Sequence, residues 1–332
     1  MSTPDRRIPV SLISGFLGAG KTTLLNHWLQ QPELAGAAVL INEYGPVGVD
    51  HHLVRQLDHQ PVLLASGCIC CTLQGPLVES LQSLFLQALR RQIPRFDRLI
   101  IETTGLADPA GVMFTLRQSP FLAERYRYAG LLTVVDGQHG LAELEREPEA
   151  LKQAALADAL LISKPDLCTA DGLRVLQQRL AQLNPGASCQ TVTHGQAEVA
   201  LLAELCPDPS GSPLRLKRWL QPVAPIPLQG DARPAHGVNS VCLTLPAHWG
   251  LADLLAALER VQARHGEALL RMKGLVRFAG DTQPLVLQAV HGTLYPLARL
   301  ADCPPELADN QLVFLIRHLS QAQLAASFFD SK

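Results

Sequence analysis

The chain has 332 residues and little charge or aromatic content: Asp, Glu, Lys and Arg make up 17% and Phe, Trp and Tyr 5%. Average soluble chains are roughly 25% charged. With apolar residues at 47%, this shortage of charge excludes general disorder, which goes with the opposite balance. Neither sign of charge prevails: 28 Lys and Arg stand against 30 Asp and Glu, a net charge of -2. A nucleic-acid footprint needs clustered basic charge, so no nucleic-acid partner is expected. No apolar run reaches the roughly eighteen residues of a membrane span, so no membrane partner is expected either. Arg6 and Arg7 ahead of Ile8 to Gly20 have the outline of a signal peptide, but Lys21 and the glycines of that stretch have a better explanation. Cysteine is sparse, at eight residues, which excludes a disulfide scaffold. Three of these cysteines crowd into positions 68, 70 and 71, and the other five are scattered. A reduced, cytoplasmic protein is the expectation.

What is present is a series of short apolar runs alternating with amphipathic ones. Ile8 to Ile13, Ala38 to Ile41, Val62 to Ala65, Leu99 to Ile101, Leu131 to Val135 and Ala159 to Ile162 read as buried strands. Thr22 to Gln31, Pro76 to Arg91, Leu141 to Ala157 and Asp171 to Leu183 read as helices. All-apolar strands separated by helices predict a mostly parallel sheet covered on both faces, an α/β fold. Seven prolines between positions 207 and 234, with only Arg215 to Leu220 helical in character, predict an extended linker. Beyond it, Ser240 to Leu245, Leu275 to Phe278, Leu285 to Val290 and Leu312 to Ile316 read as strands. Leu251 to Val261 and Gln321 to Phe329 read as helices, completing a small α+β domain. The expected organisation is therefore 1–206, a P-loop nucleotide domain; 207–235, linker; 236–332, second domain.

Gly15-Phe-Leu-Gly-Ala-Gly20-Lys21-Thr22 fits G-x-x-x-x-G-K-[ST] between a strand and a helix. Such glycines let backbone N–H groups turn toward phosphate oxygens, and the helix N-terminus adds partial positive charge. Gly15, Gly18, Ala19, Gly20, Lys21, Thr22 and Thr23 are the expected phosphate residues, with Lys21 neutralising the β- and γ-phosphates and Thr22 ligating Mg²⁺. Glu102-Thr-Thr-Gly105 follows a strand, at the end of the sheet where such folds bind ligands. Glu102 is the second candidate for Mg²⁺, and Gly105 N–H a candidate γ-phosphate contact. Ser163-Lys164-Pro165-Asp166 has the form of the N-K-x-D guanine reader with Ser in place of Asn. Asp166 would accept from the ring N–H and exocyclic amino group of guanine, and Lys164 would cover the base. Ser163, being shorter than Asn, is expected to support the turn less well. Lys21, Glu102 and Glu43 form the expected catalytic set.

Cys68-Ile-Cys70-Cys71 places three sulfurs within four residues, able to converge on one soft cation such as Zn²⁺. A structural zinc site fills four positions from the protein; three leave one for a client ligand or water, as a carrier needs. Glu43, His51 and His52 are candidate completers. A redox pair and inert buried thiols are the competing readings.

With these motifs assembled, the sequence resembles the CobW-like family of metal-chaperone GTPases over nearly its whole length. The resemblance rests on Gly15 to Thr23, Asn42 to Gly45, Gly67 to Cys71, Glu102 to Pro109, Thr133 to Asp136 and Ser163 to Asp166, with Leu270 to Gly274 and Leu312 to Ile316 in the second domain. It implies slow GTP hydrolysis to GDP and phosphate, and delivery of Zn²⁺, or the related ion Co²⁺, to a client metalloprotein. Two departures stand out. Ile41 to Pro46 lacks two acidic residues common in the family, and no His-rich loop lies between Cys206 and His236. Both argue against a high-capacity metal store. The alternatives of another class are a P-loop small-molecule kinase and a nucleotide-dependent scaffold with a thiol redox motif.

Overall fold

The computed structural model describes residues 5–42, 62–66, 74–205, 237–279, 281, 283–290, 293–294, 297–299 and 310–330. They form two compact units, one within Met1–Leu176 and Cys189–Cys206, the other within Gln177–Ser188 and Pro207–Lys332. The expected linker, including Arg215 to Leu220, lies outside the described residues.

One sheet is built on β1 (Ile8–Ser14), β2 (Ala37–Asn42), β3 (Val62–Ser66), β4 (Arg98–Glu102), β5 (Tyr126–Asp136), β6 (Ala159–Ser163) and β7 (Ser188–Val192). Their order in the sheet is β3-β2-β4-β1-β5-β6-β7. The ladders joining the first six are all parallel, as the apolar character of the strands predicts. Helices α1 (Lys21–Trp28), α2 (Gln74–Leu89), α3 (Pro109–Gln118), α4 (Pro120–Arg125), α5 (Gly140–Arg146), α6 (Pro148–Leu156) and α7 (Ala170–Leu183) connect them, and a single turn, α8 (Leu201–Glu204), follows β7. Leu24, Leu25 and Trp28 of α1 pack with Ile13, Val39, Ile41, Ile100, Val134 and Leu161 of the sheet. Trp28 is fully buried, and its indole N–H donates to the Ala197 carbonyl at 2.7 Å.

Three corrections to the sequence reading have local causes. The expected single helix over Leu141 to Ala157 is two helices, because Pro148 has no N–H to continue α5 and forces Glu147 into an extended conformation (φ −107°, ψ 109°). Pro148 then serves as the first residue of α6. Helices α3 and α4 add to the expected elements, and Asp108-Pro109 and Ser119-Pro120 are their cap-plus-proline starts. The Asp108 carboxylate accepts from Ala110 N–H, and the Ser119 hydroxyl from Leu122 N–H. Strand β5 begins at Tyr126, five residues before the apolar run.

The second unit contains β8 (Val238–Thr244), α9 (Leu251–His265), β9 (Leu269–Val276), β10 (Leu285–Val290), the two-residue strands β11 (Thr293–Leu294) and β12 (Ala298–Arg299), β13 (Gln311–Arg317) and α10 (Gln321–Phe329). The sheet order is β11-β10-β9-β13-β8, with β12 also on β10, and every ladder is antiparallel. Leu254, Ala257 and Val261 of α9 and Leu324 and Phe328 of α10 pack with Met272, Leu287, Phe314 and Val241 of the strands. The strand expected over Leu275 to Phe278 lies instead over β9. Arg271 and Lys273 hide it from a hydropathy reading, yet both are buried.

Candidate nucleotide site

Each of the six parallel strands ends on a polar residue: Ser14, Asn42, Ser66, Glu102, Asp136 and Ser163. In a parallel sheet these ends share one edge, where the loops that hold ligands start. The loop after β1 carries the phosphate motif. Gly15 has φ 142°, and a Cβ there would collide with the Val134 carbonyl oxygen on the adjacent strand, so only glycine fits. Gly20, with φ 97°, turns the chain into α1, whose first residue is Lys21. Lys21 is buried, and its ammonium donates to the carbonyls of Gly15 (2.9 Å) and Phe16 (3.0 Å), bracing the loop from within. Thr23, by contrast, is exposed.

Strand β4 pairs with β1 so that Glu102 lies opposite Ile13. Its buried carboxylate accepts from the Thr22 hydroxyl at 2.8 Å. Two oxygen ligands side by side at a helix N-terminus suit a hard cation such as Mg²⁺. The next turn is pressed onto the phosphate loop. Thr103 donates from its backbone to the Ile13 carbonyl (2.9 Å) and from its hydroxyl to Ser14 (3.0 Å). A Cβ on Gly105 would fall 2.7 Å from the Leu17 backbone nitrogen. Helix α6 holds this turn from behind. The fully buried Gln153 donates to the carbonyls of Gly105 and Ala107, both at 3.0 Å, and Lys152 pairs with Asp108 at 3.1 Å.

The third contribution comes from β5 and β6, paired so that Asp136 lies opposite Ser163. The Ser163 hydroxyl donates to the Ala19 carbonyl at 2.6 Å, so the short side chain reaches the phosphate loop. Lys164 adopts the left-handed conformation (φ 52°, ψ 42°) and donates from its ammonium to the Gly18 carbonyl (2.8 Å) and Asp136 Oδ2 (2.7 Å). Burial opposes ionisation of Asp136. The Lys164 ammonium and the N–H groups of His139 and Gln138 outweigh it, holding the carboxyl below the ordinary range. Burial, and next the Asp136 charge, push neighbouring Glu143 the other way. Asp166 is exposed in the single turn Pro165–Leu167 that follows.

Ser163, Lys164, Lys21, Thr22, Glu102 and Gly105 are thus gathered around residues 15–20. Glu43 and the cysteines 68, 70 and 71 lie outside the described residues, as do His51 and His52. The strands that lead to these segments end as neighbours, with Asn42 paired to Ser66. Among the described residues no group of three or more His, Cys, Asp and Glu could hold a metal ion. Sequence reasoning gave no role to Asp136 or Gln153. A carboxylate ending an apolar strand was the available signal for the first.

Residues 9–191 match the family described as CobW/HypB/UreG, nucleotide-binding domain, and residues 238–331 the cobalamin synthesis protein cobW C-terminal domain. The chain belongs to the CobW family. It is 31% identical to the zinc chaperone YjiA of Escherichia coli (strain K12) over 321 residues, 97% of this chain and 98% of that protein. The zinc chaperone CobW of Pseudomonas aeruginosa is 28% identical over 355 residues, covering 96% of this chain and 90% of its own. The crystal structure of Zn(II)-bound YjiA GTPase from E. coli superposes with a TM-score of 0.74, at 27% identity over 97% of this chain and 98% of that one. Among the described residues of this CobW-family chain, no helix is long and apolar enough to cross a membrane.

Proposed function

We propose that this chain is a GTP-binding, slowly GTP-hydrolysing metallochaperone. It would carry Zn²⁺, as cargo, on Cys68, Cys70 and Cys71 and hand it to a client protein under nucleotide control. The observation that carries the reading is the gathering of Lys21, the Thr22–Glu102 pair and the Ser163–Lys164 turn around one loop. The names of the relatives, zinc chaperones and a GTPase, support the cargo and the reaction.

In this reading residues 1–206 form the GTPase domain, 207–235 a linker and 236–332 the second domain, working in the reducing cytoplasm. Gly15, Gly18, Ala19, Gly20, Thr22 and Thr23 present backbone N–H groups to the phosphates, and Lys21 offsets their charge. Mg²⁺ bound with the nucleotide would neutralise charge on the β- and γ-phosphates, with the Thr22 hydroxyl as its ligand and Glu102 holding it through a water. Gly105 N–H contacts the γ-phosphate, and Asp166 reads guanine. Glu43 joins Lys21 and Glu102 in the catalytic set. The sequence offers no arginine finger, so intrinsic turnover is slow. GTP orders 43–50 and 102–108, the former starting from the strand next to the one that leads to the cysteines, and hydrolysis releases both, loosening the thiol site.

The test is the zinc affinity of the reduced protein against a competing chelator, with Mg²⁺ and either GDP or a non-hydrolysable GTP analogue. About one zinc, held much more tightly in the analogue-bound form, is the expected result. Equal affinity in both forms overturns nucleotide control, because a ligand without differential affinity shifts no equilibrium. Unchanged zinc stoichiometry after replacing Cys70 and Cys71 by Ser overturns the cysteine assignment. Co²⁺ in the same titration tests metal selectivity.

A further inference from the structure

The two oxygens of Asp136 do different work. Oδ1 accepts from the backbone N–H groups of Gln138 (2.8 Å) and His139 (3.0 Å), shaping the turn into α5. Oδ2 takes the Lys164 ammonium at 2.7 Å. The carboxylate side chain is only 3% exposed, whereas that of Lys164 is 38% exposed. The same ammonium reaches the Gly18 carbonyl, and Ser163 reaches that of Ala19. Consecutive residues of the base-reading turn are therefore fastened to consecutive residues of the phosphate loop.

A lysine left to a lone backbone carbonyl at a partly exposed position would sample many rotamers, because its side chain loses up to about 2 kcal/mol of conformational entropy when fixed. A buried carboxylate supplies the missing restraint through a charge-assisted hydrogen bond. Gly137 tightens the arrangement: its N–H donates to the Ser163 carbonyl at 2.8 Å, and a Cβ there would stand 2.6 Å from that oxygen.

We infer that Asp136 is a positioning residue for guanine recognition, holding Lys164 over the base site and locking the base-reading turn to the phosphate loop. This rests on the guanine reading of Ser163 to Asp166. The base is remote from the bond that breaks, so contacts to it are equal in GTP, GDP and the transition state. Losing them is loss of uniform binding, which raises KM and leaves kcat in place.

Asp136→Asn separates the two jobs, because the amide oxygen keeps both backbone N–H bonds while the amide nitrogen cannot hold an ammonium. The experiment measures GDP and ADP affinity and steady-state GTP hydrolysis for the wild type, Asp136→Asn, Lys164→Met and the double variant. The expected result for Asp136→Asn is GDP affinity and KM for GTP each weakened about tenfold, the scale of one charge-assisted hydrogen bond. Its kcat stays within about twofold of wild type. The double variant should be no weaker than Lys164→Met alone, since Asp136 acts through that lysine. Wild-type preference for guanine nucleotides with unchanged affinity in Asp136→Asn overturns the inference alone, and so do additive losses in the double variant. Equal wild-type affinity for GDP and ADP overturns the guanine reading and the inference with it.

Discussion

The two sheets of this chain carry their buried charged side chains in opposite ways among the described residues. In the parallel sheet the buried carboxylates stand at strand ends, where Glu102 accepts from Thr22 and Asp136 holds Lys164, while Ser163 reaches the phosphate loop. In the antiparallel sheet the buried charges stand mid-strand, with Arg271 and Lys273 buried within β9. Parallel strands all finish at one edge, so end residues far apart in sequence converge. Antiparallel strands finish alternately at both edges, and no such gathering follows. Two buried lysines make the contrast concrete. Lys21 at 8% exposed and Lys273 at 7% are alike in burial, yet only Lys21 sits in a ligand-binding loop.

Lys21→Ala should break that contrast most severely. Loss of GTP binding by more than about a hundredfold is expected, as for a buried charge on phosphate, with the thermal transition retained. Normal GTP affinity in calorimetry would refute the phosphate-loop assignment, and Lys273→Met serves as its control, with GTP affinity unchanged. Phe314→Ala strikes the other sheet. Emptying this fully buried aromatic position should cost about 3–5 kcal/mol in urea unfolding. A loss below 1 kcal/mol, on the order of a surface change, would contradict the core assignment. Gly105→Ala returns to the strand-end edge. The added methyl meets the Leu17 backbone, and displacing this turn should slow hydrolysis by about a hundredfold while sparing GDP affinity. A wild-type single-turnover rate would remove Gly105 from the site.

Smaller effects sharpen the comparison through pH and salt. The Asp136 carboxyl lies below its ordinary value in the folded protein, so its stabilisation is present above the unfolded carboxylate pKa of about 3.9. It is lost as pH falls through the lower folded value. Glu143, raised first by burial, acts with the reverse sign, favouring the folded state as pH falls through its raised value. Between pH 5 and about 2, unfolding free energy should therefore fall less steeply in Asp136→Asn than in the wild type, and equal slopes would contradict the assignment. Least affected is Lys152→Met, since its ion pair with Asp108 is partly exposed on both sides. A loss of under about 1 kcal/mol is expected, shrinking further in salt.

How much was legible beforehand divides along the same line. The phosphate loop could be read because its function is a local backbone shape, and Gly15, Gly20 and Lys21 sit within seven residues. Ser163 could be placed as part of a motif, but its strength could not. A hydroxyl too short for the usual role reaches Ala19 only because β6 ends where the loop passes. Asp136 showed only as a carboxylate ending an apolar strand, and Gln153 had no local pattern, so neither received a role. Their partners lie 28 and 48 residues away in sequence, at Lys164 and Gly105. Pro148 was visible, and its effect on the helix follows from its missing N–H.

The sequence by itself determined the alternation of buried strands and helices, the nucleotide loop and the order of the motifs, because these depend on periodicity and on residues close along the chain. Only the tertiary structure decided which carboxylate meets Thr22, which one holds Lys164, and that buried Arg271 and Lys273 belong to a strand. Those outcomes depend on strand register and on what desolvates each side chain, quantities that arise only when distant segments pack together.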